Sequence, residues 1–171
     1  MLDEIGDFVQ VVESCDDLGS QNGLLFSTRL FREIVKPFRK ELNNVILQKT
    51  RDAKIFFHCC GAVYKLIPDL IDTGIHILNP LQPNALGMDP QLIKETYGDQ
   101  LCFHGCIDTQ IALRGSVADT QEEVKKKINI LYKNGGYIVA PANHIMSDVP
   151  LENIIALFNS VKKYDATKGS L

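Results

Sequence analysis

At 171 residues, with 45% hydrophobic and 23% charged residues, the chain is long enough for one domain with a sizeable core and has ordinary globular composition. Its net charge of −3, with acids and bases interleaved, argues against a nucleic-acid or anionic-membrane surface, because either would need a basic patch. No apolar run approaches the roughly 20 residues of a membrane helix, and Met1-Leu-Asp-Glu lacks the basic and then apolar start of a signal peptide, so the expected compartment is the cytoplasm.

The first strand begins in Phe8-Val-Gln-Val-Val12 and ends at Asp16-Asp17-Leu18-Gly19. Two adjacent carboxylates are costly to bury together, so they are expected at a cleft or loop. Ser27 is a candidate N-cap for a helix whose apolar stripe runs from Leu30 to Ile46, with a kink expected at Pro37. Lys54 to Cys60 is the second strand, closed by Gly61. A helical stripe from Val63 to Ile71 follows, with Gly74 where a C-terminal cap belongs. Ile75 to Leu78 reads as a short third strand running into a proline-bounded loop, Asn79 to Asn84.

Asp89-Pro90 pairs a cap with a first helical residue, for a helix through Tyr97. Leu101 to Ile107 is the fourth strand, ending at Asp108-Thr109-Gln110. Thr120 and Glu123 have capping-box spacing ahead of Val124, Ile128 and Leu131. Tyr137 to Ala140 is the fifth strand, and a last helix starts near Pro150. Residues 1–164 therefore read as one domain and 165–171 as a frayed tail. Five strands alternating with five helices imply a parallel α/β sheet. Its polar residues gather at the strands' C-terminal ends, where such folds place their sites. No GxGxxG or P-loop pattern occurs.

The chain has five cysteines, Cys15, Cys59, Cys60, Cys102 and Cys106. The odd count and the apolar, strand-like surroundings of most of them suit reduced thiols, either core fillers or ligands. Alternate residues of a strand share a face, so His58 and Cys60 point one way and Cys59 the other. A His-x-Cys pair can give nitrogen and sulfur to zinc; it equally fits two packed core residues. His104 and Cys106 repeat the spacing on the fourth strand, and His144 follows the fifth. His76 opens its strand at the far end and has no expected role. Asp16, Asp17, Asp108 and Gln110 are the remaining strand-end polar groups, able either to orient a substrate or ligand, or simply to bond local amides.

The motifs Asp16-Asp17-Leu18-Gly19, Phe31 to Pro37, His58-Cys59-Cys60-Gly61, Asn79 to Pro83, Gly87 to Pro90, Gly105 to Gln110, Gly136 to Pro141 and Val149 to Ile154 occur in that order. This series resembles the C-terminal half of the uroporphyrinogen decarboxylase superfamily, which includes zinc-dependent methylcobamide:coenzyme M methyltransferases. The resemblance implies a TIM (β/α)8 barrel of about twice this length, of which this chain would be the C-terminal part, about five βα units. The unpaired strand edges would then pair with another copy or with a missing N-terminal half.

In the methyltransferase branch the resemblance implies zinc held by His58 and Cys60 and by a later cysteine. That cysteine would fall in Ala140 to His144, where Asn143 takes its approximate place and His144 is the best substitute ligand. Asp17 and Asp108 are the implied catalytic aspartates, orienting ligands or substrate, and Gln82 and Gln110 the implied cofactor contacts. The implied reaction moves a methyl group from a methylated corrinoid protein to a thiol. The alternatives are tetrapyrrole decarboxylation, whose Asn-Leu-Gly-His-Gly histidine motif has no counterpart here, and an inactive fragment or half of a split barrel.

Overall fold

A computed structural model describes residues 1–164; the expected tail, 165–171, lies outside them. The chain opens with a short helix, α1 (Leu2–Ile5), and a 3-10 turn, Gly6–Phe8, before strand β1 (Val11–Cys15). The first strand thus starts three residues later than its apolar run suggests. Two two-residue strands, β2 (Gly19–Ser20) and β3 (Gly23–Leu24), then form a small antiparallel hairpin where a plain loop was expected.

Helix α2 (Thr28–Leu30) is capped by Ser27, whose Oγ accepts from the Leu30 amide at 3.1 Å. A π-helical turn, Phe31–Val35, separates it from α3 (Lys36–Gln48). Pro37 follows closely on this turn and the helix runs on through it, so the widened turn stands where proline withholds a donor, in place of a simple kink. Strand β4 (Lys54–His58), helix α4 (Ile67–Asp72), strand β5 (Ile77–Leu81), helix α5 (Pro90–Tyr97) and strand β6 (Cys102–Ile107) follow. Asp89 caps α5 by accepting from the Leu92 amide at 2.8 Å.

Helix α6 (Val117–Leu131) starts one turn before the expected capping box. The box is Ser116 with Asp119, both halves of it formed. Thr120 instead donates to the Ala112 carbonyl at 3.2 Å, and Glu123 accepts from the Asp108 amide at 3.2 Å. Strand β7 (Tyr137–Pro141) and helix α7 (Leu151–Lys163) complete the described chain.

The sheet order is β1-β4-β5-β6-β7, every pair parallel. The order never reverses, as it would in a doubly wound sheet. One face is sealed by helices: Ile55, Phe57, Leu78 and Phe103 are fully buried there. Each such side chain contributes about 1.5–3 kcal/mol through burial. The other face holds Phe56 and His58, half-buried, with Val11 and Ile138 exposed at its two margins. Sequential parallel strands, helices on one face and an open inner face make this α/β chain a five-stranded portion of a TIM-type barrel. No helix among the described residues is long and apolar enough to cross a membrane.

Candidate metal centre

The inner face concentrates its chemistry at the C-terminal ends of β1, β4 and β5. Cys15 and His58 are Cα partners across β1 and β4, and His58 and Asn79 are partners across β4 and β5. Partners in register project to the same side of a sheet. Three side chains from three strands therefore meet in one row, and His104 of β6 extends it.

Asn79 links the two imidazoles. His58 Nδ1 lies 2.6 Å from Asn79 Oδ1, and Asn79 Nδ2 lies 2.6 Å from His104 Nδ1. An amide oxygen only accepts and an amide nitrogen only donates. His58 therefore carries its proton on Nδ1 and donates it to Asn79, while His104 accepts on Nδ1. That leaves the His58 Nε2 lone pair free, and it faces the Cys60 thiol at 3.3 Å. Burial lowers the His104 pKa, in keeping with its neutral, accepting role, and its ring packs edge-on against Phe56 at 5.1 Å between centroids.

The adjacent carboxylates divide their tasks. Arg39, stacked 4.8 Å over the Phe57 ring, pairs with Asp16 and turns it from the row. Asp17 faces inward, where its Oδ1 accepts from the Cys60 amide at 3.0 Å and lies 3.6 Å from His58 Nε2. The ligand atoms of Cys15, Asp17 and His58 all lie within 4.8 Å of one another. Burial first, and then the charge of Asp17, push the Cys60 thiol up to about 11. Cys15 is raised by burial, then by Asp17 and Glu13.

The loop after β7 meets this cluster through Asn143. Its Oδ1 accepts from the His144 amide at 2.7 Å, and its Nδ2 points at Cys60 Sγ at 3.8 Å. His144 is exposed, and its ring is not in the ligand group of Cys15, Asp17 and His58; the Cys60 thiol is outside that group too, but meets His58 Nε2 at 3.3 Å. The second His-x-Cys pair dissolves too. Gly105 and Cys106 have φ of 105° and 72°, which breaks the strand's alternation. Cys106 turns into the core, fully buried, with its thiol pushed up to about 12 by that burial, while His104 stays on the inner face.

The other expected residues organise loops. Asp108 Oδ1 accepts from the Gln110 amide at 2.7 Å, the Ile111 amide at 3.2 Å and Asn84 Nδ2 at 2.7 Å. Gln82 is buried; its Oε1 accepts from the Gly61 amide at 3.0 Å and its Nε2 donates to Gln21 at 3.0 Å. Gln110 is exposed beside Asp108, on a shallow cleft that it shares with Gln82 and Asn143. His76, at the far end of β5, accepts from the Ile55 amide at 3.1 Å. A cavity of about 460 Å3 beside the β2–β3 hairpin is lined by no histidine, cysteine or carboxylate, so that space and the chemistry do not coincide.

Sequence reasoning missed Cys15, Asn79 and Asn143. The sequence allows Cys15 as either a core filler or a ligand, and its register with His58 is a tertiary fact. Asn79 fell in the stretch read as a proline loop, although β5 continues through it to Leu81. Asn143 was noticed only as the occupant of an absent cysteine's place.

A model of the uroporphyrinogen decarboxylase (URO-D) family matches residues 4–164. Among solved structures, a methyltransferase from Methanosarcina mazei aligns with a TM-score of 0.69 at 22% identity, over 90% of this chain and 42% of that one. This likeness concerns the fold, and the chain spans less than half the length of that protein. No curated protein matches.

Proposed function

The chain belongs to the uroporphyrinogen decarboxylase family, and from that premise we propose that it serves zinc-dependent transfer of a methyl group from a methylated corrinoid protein to a thiol. The observation that carries the reading is the His58 Nε2–Cys60 Sγ separation of 3.3 Å, with the opposite ring nitrogen held by Asn79.

The donor set fits the metal. With bonds of about 2.0–2.3 Å, nitrogen and sulfur ligands on one tetrahedral zinc stand about 3.5 Å apart. The pair is near that spacing before any metal is bound. A histidine whose second nitrogen donates to an oxygen acceptor is the usual support for such a ligand. A methyltransferase among the solved fold relatives points the same way.

Bound zinc would lower the pKa of a substrate thiol, so that thiolate is present near neutral pH. The thiolate sulfur attacks the methyl carbon. The methylated corrinoid partner, as substrate, would supply the methyl group: the C–S bond would form as the carbon–cobalt bond breaks, with its electron pair left on cobalt. This chain's residues hold and orient the thiol: His58 and Cys60 as ligands, Asp17 beside them to take the thiol proton, and Asn143 to steady the Cys60 sulfur. Asp108 and Gln82 hold the loops that frame the cleft. Eight strands close a barrel of this kind, and the described residues supply five, so the full reaction chamber draws on further strands.

Zinc analysis of the purified protein, with His58→Ala and Cys60→Ser, tests the reading together with a methyl-transfer assay from methylcobalamin to a small thiol. One zinc per chain, lost in both variants along with activity, is expected. A protein that stays metal-free in the presence of zinc would sink the proposal.

A further inference from the structure

The metal site needs more than His58 and Cys60, and the loop after β7 does not supply the remainder. Asn143 presents an N–H to Cys60, and an amide nitrogen that carries its protons is a hydrogen-bond donor, not a ligand. Its oxygen is already used by the His144 amide. Two further donors lie beside the same imidazole, and both come from the end of β1: the ligand atoms of Cys15, Asp17 and His58 form one group within 4.8 Å, which Cys60 joins through its 3.3 Å contact with His58 Nε2.

We propose that Cys15 is the third protein ligand of the zinc site and that Asp17 occupies its fourth position, so that the centre is built from two neighbouring strand ends. Cys15 is the register partner of His58 on the adjoining parallel strand, which places the thiol and the imidazole side by side on the inner face. Its ligand atom lies within 4.8 Å of those of both Asp17 and His58. Asp17 Oδ1 is 3.6 Å from His58 Nε2, and the Cys60 amide fixes its carboxylate at 3.0 Å. Oxygen and nitrogen ligands on one tetrahedral zinc stand about 3.3 Å apart, so Asp17 needs only a small adjustment. Arg39 neutralises Asp16 and not Asp17, which leaves the inward carboxylate for a cation.

The charges suit a divalent ion: two thiolates and one carboxylate around one neutral imidazole. A carboxylate is the hardest and most exchangeable donor of the four. Asp17 is therefore the ligand that an incoming substrate thiol displaces, while Cys15, His58 and Cys60 stay. Catalytic zinc sites characteristically keep three protein ligands and one exchangeable position. This inference rests on the zinc reading above and deepens it.

Cobalt(II) titration of the purified protein is the test, because thiolate-to-cobalt charge-transfer absorption counts sulfur ligands without any activity assay. The wild-type intensity is expected to be that of two thiolates, and Cys15→Ser or Cys60→Ser should each remove about half of it. Cys102→Ser, at the opposite end of its strand, should remove none and serves as the control for general thiol loss. Asp17→Asn should keep the full charge-transfer intensity but bind at least about tenfold more weakly. Circular dichroism of each variant, with Cys15→Ala as a second change at this exposed position, separates ligand loss from misfolding. Full intensity in folded Cys15→Ser overturns the inference while leaving the His58–Cys60 reading intact. No cobalt or zinc binding to the wild-type protein overturns both. Loss of a ligand on His144→Ala with Cys15→Ser silent would move the third ligand to the β7 loop and overturn it as well.

Discussion

Asn79 Oδ1 sits 2.6 Å from His58 Nδ1, and this contact decides which nitrogen of His58 is free. Without it the imidazole can rotate or carry its proton on Nε2, and a protonated nitrogen cannot ligate. Asn79→Ala is therefore expected to weaken zinc binding about 10–100-fold. Asn79→Asp keeps an oxygen acceptor and should bind zinc much as the wild type does. Competition with a chromophoric chelator measures both. Equal losses in the two variants would mean that Asn79 matters for packing and not for the tautomer.

Metal loading should strengthen steeply with pH. The Cys60 thiol is pushed up to about 11 by burial and by Asp17, and Cys15 is raised as well. Both are therefore neutral in the metal-free protein near pH 7, and each ligating thiol must release a proton. Below a thiol's pKa, every pH unit upward makes that release tenfold easier. With two thiols ligating, affinity should climb about 100-fold per unit between pH 7 and 9, and with Cys60 alone about tenfold. Zinc titrations at a series of pH values distinguish the slopes. A flat profile would show that neither thiol binds the metal.

The fold was more legible in the sequence than the site was. Ile55 and Phe57 bury fully on one face while Phe56 and His58 stay half-open on the other, and the run Lys54 to Cys60 announces a strand however its neighbours are arranged. Parity correctly joined His58 to Cys60 and sent Cys59 into the core. It failed on β6, where the positive φ of Gly105 and Cys106 exchanges the two faces. There the strand passes close to both neighbours: a Cβ added at Gly105 would lie 3.3 Å from Pro80 Cβ on β5 and 3.4 Å from Pro141 O on β7. Pro80 made β5 look finished at Leu78. A strand tolerates proline where its ladder is irregular, and the pairing of β5 with β6 shifts between Leu78 and Leu81. Cys15 and Asn79 gain their meaning only from register with His58, which no single strand's sequence contains.

Asn143 offers a gain-of-function test. Its Nδ2 lies 3.8 Å from Cys60 Sγ, so a thiol at this position would fall within reach of the cluster. Asn143→Cys is expected to bind zinc more tightly and to add thiolate-to-cobalt absorption. His144→Ala should leave both quantities near wild type, because His144 is exposed and meets the cluster only through its backbone amide, which donates to Asn143 Oδ1. A weakened site in His144→Ala, with Asn143→Cys unchanged, would place the loop's contribution one residue later.

Gly61 ties the loop after β4 to the hairpin, and its replacement should be felt in both. Its φ is +89°, and an added Cβ would lie 2.6 Å from Gly19 C and from Ser20 O, both backbone atoms that cannot rotate away. The neighbouring Ala62 amide donates to Ser20 O at 2.8 Å, so the clash falls on the contact that seats the hairpin. Gly74 is the natural control, with a φ of +88° and nothing within 4 Å of an added Cβ. Gly74→Ala should cost only the left-handed penalty, about 1–2 kcal/mol. Gly61→Ala should cost about 2–4 kcal/mol and also weaken zinc binding, because Cys60 moves relative to Asp17. Urea unfolding of the metal-free proteins gives the stabilities, and chelator competition gives the affinities. Equal losses in the two variants, with zinc affinity preserved in Gly61→Ala, would show that the hairpin and the cluster are not mechanically joined.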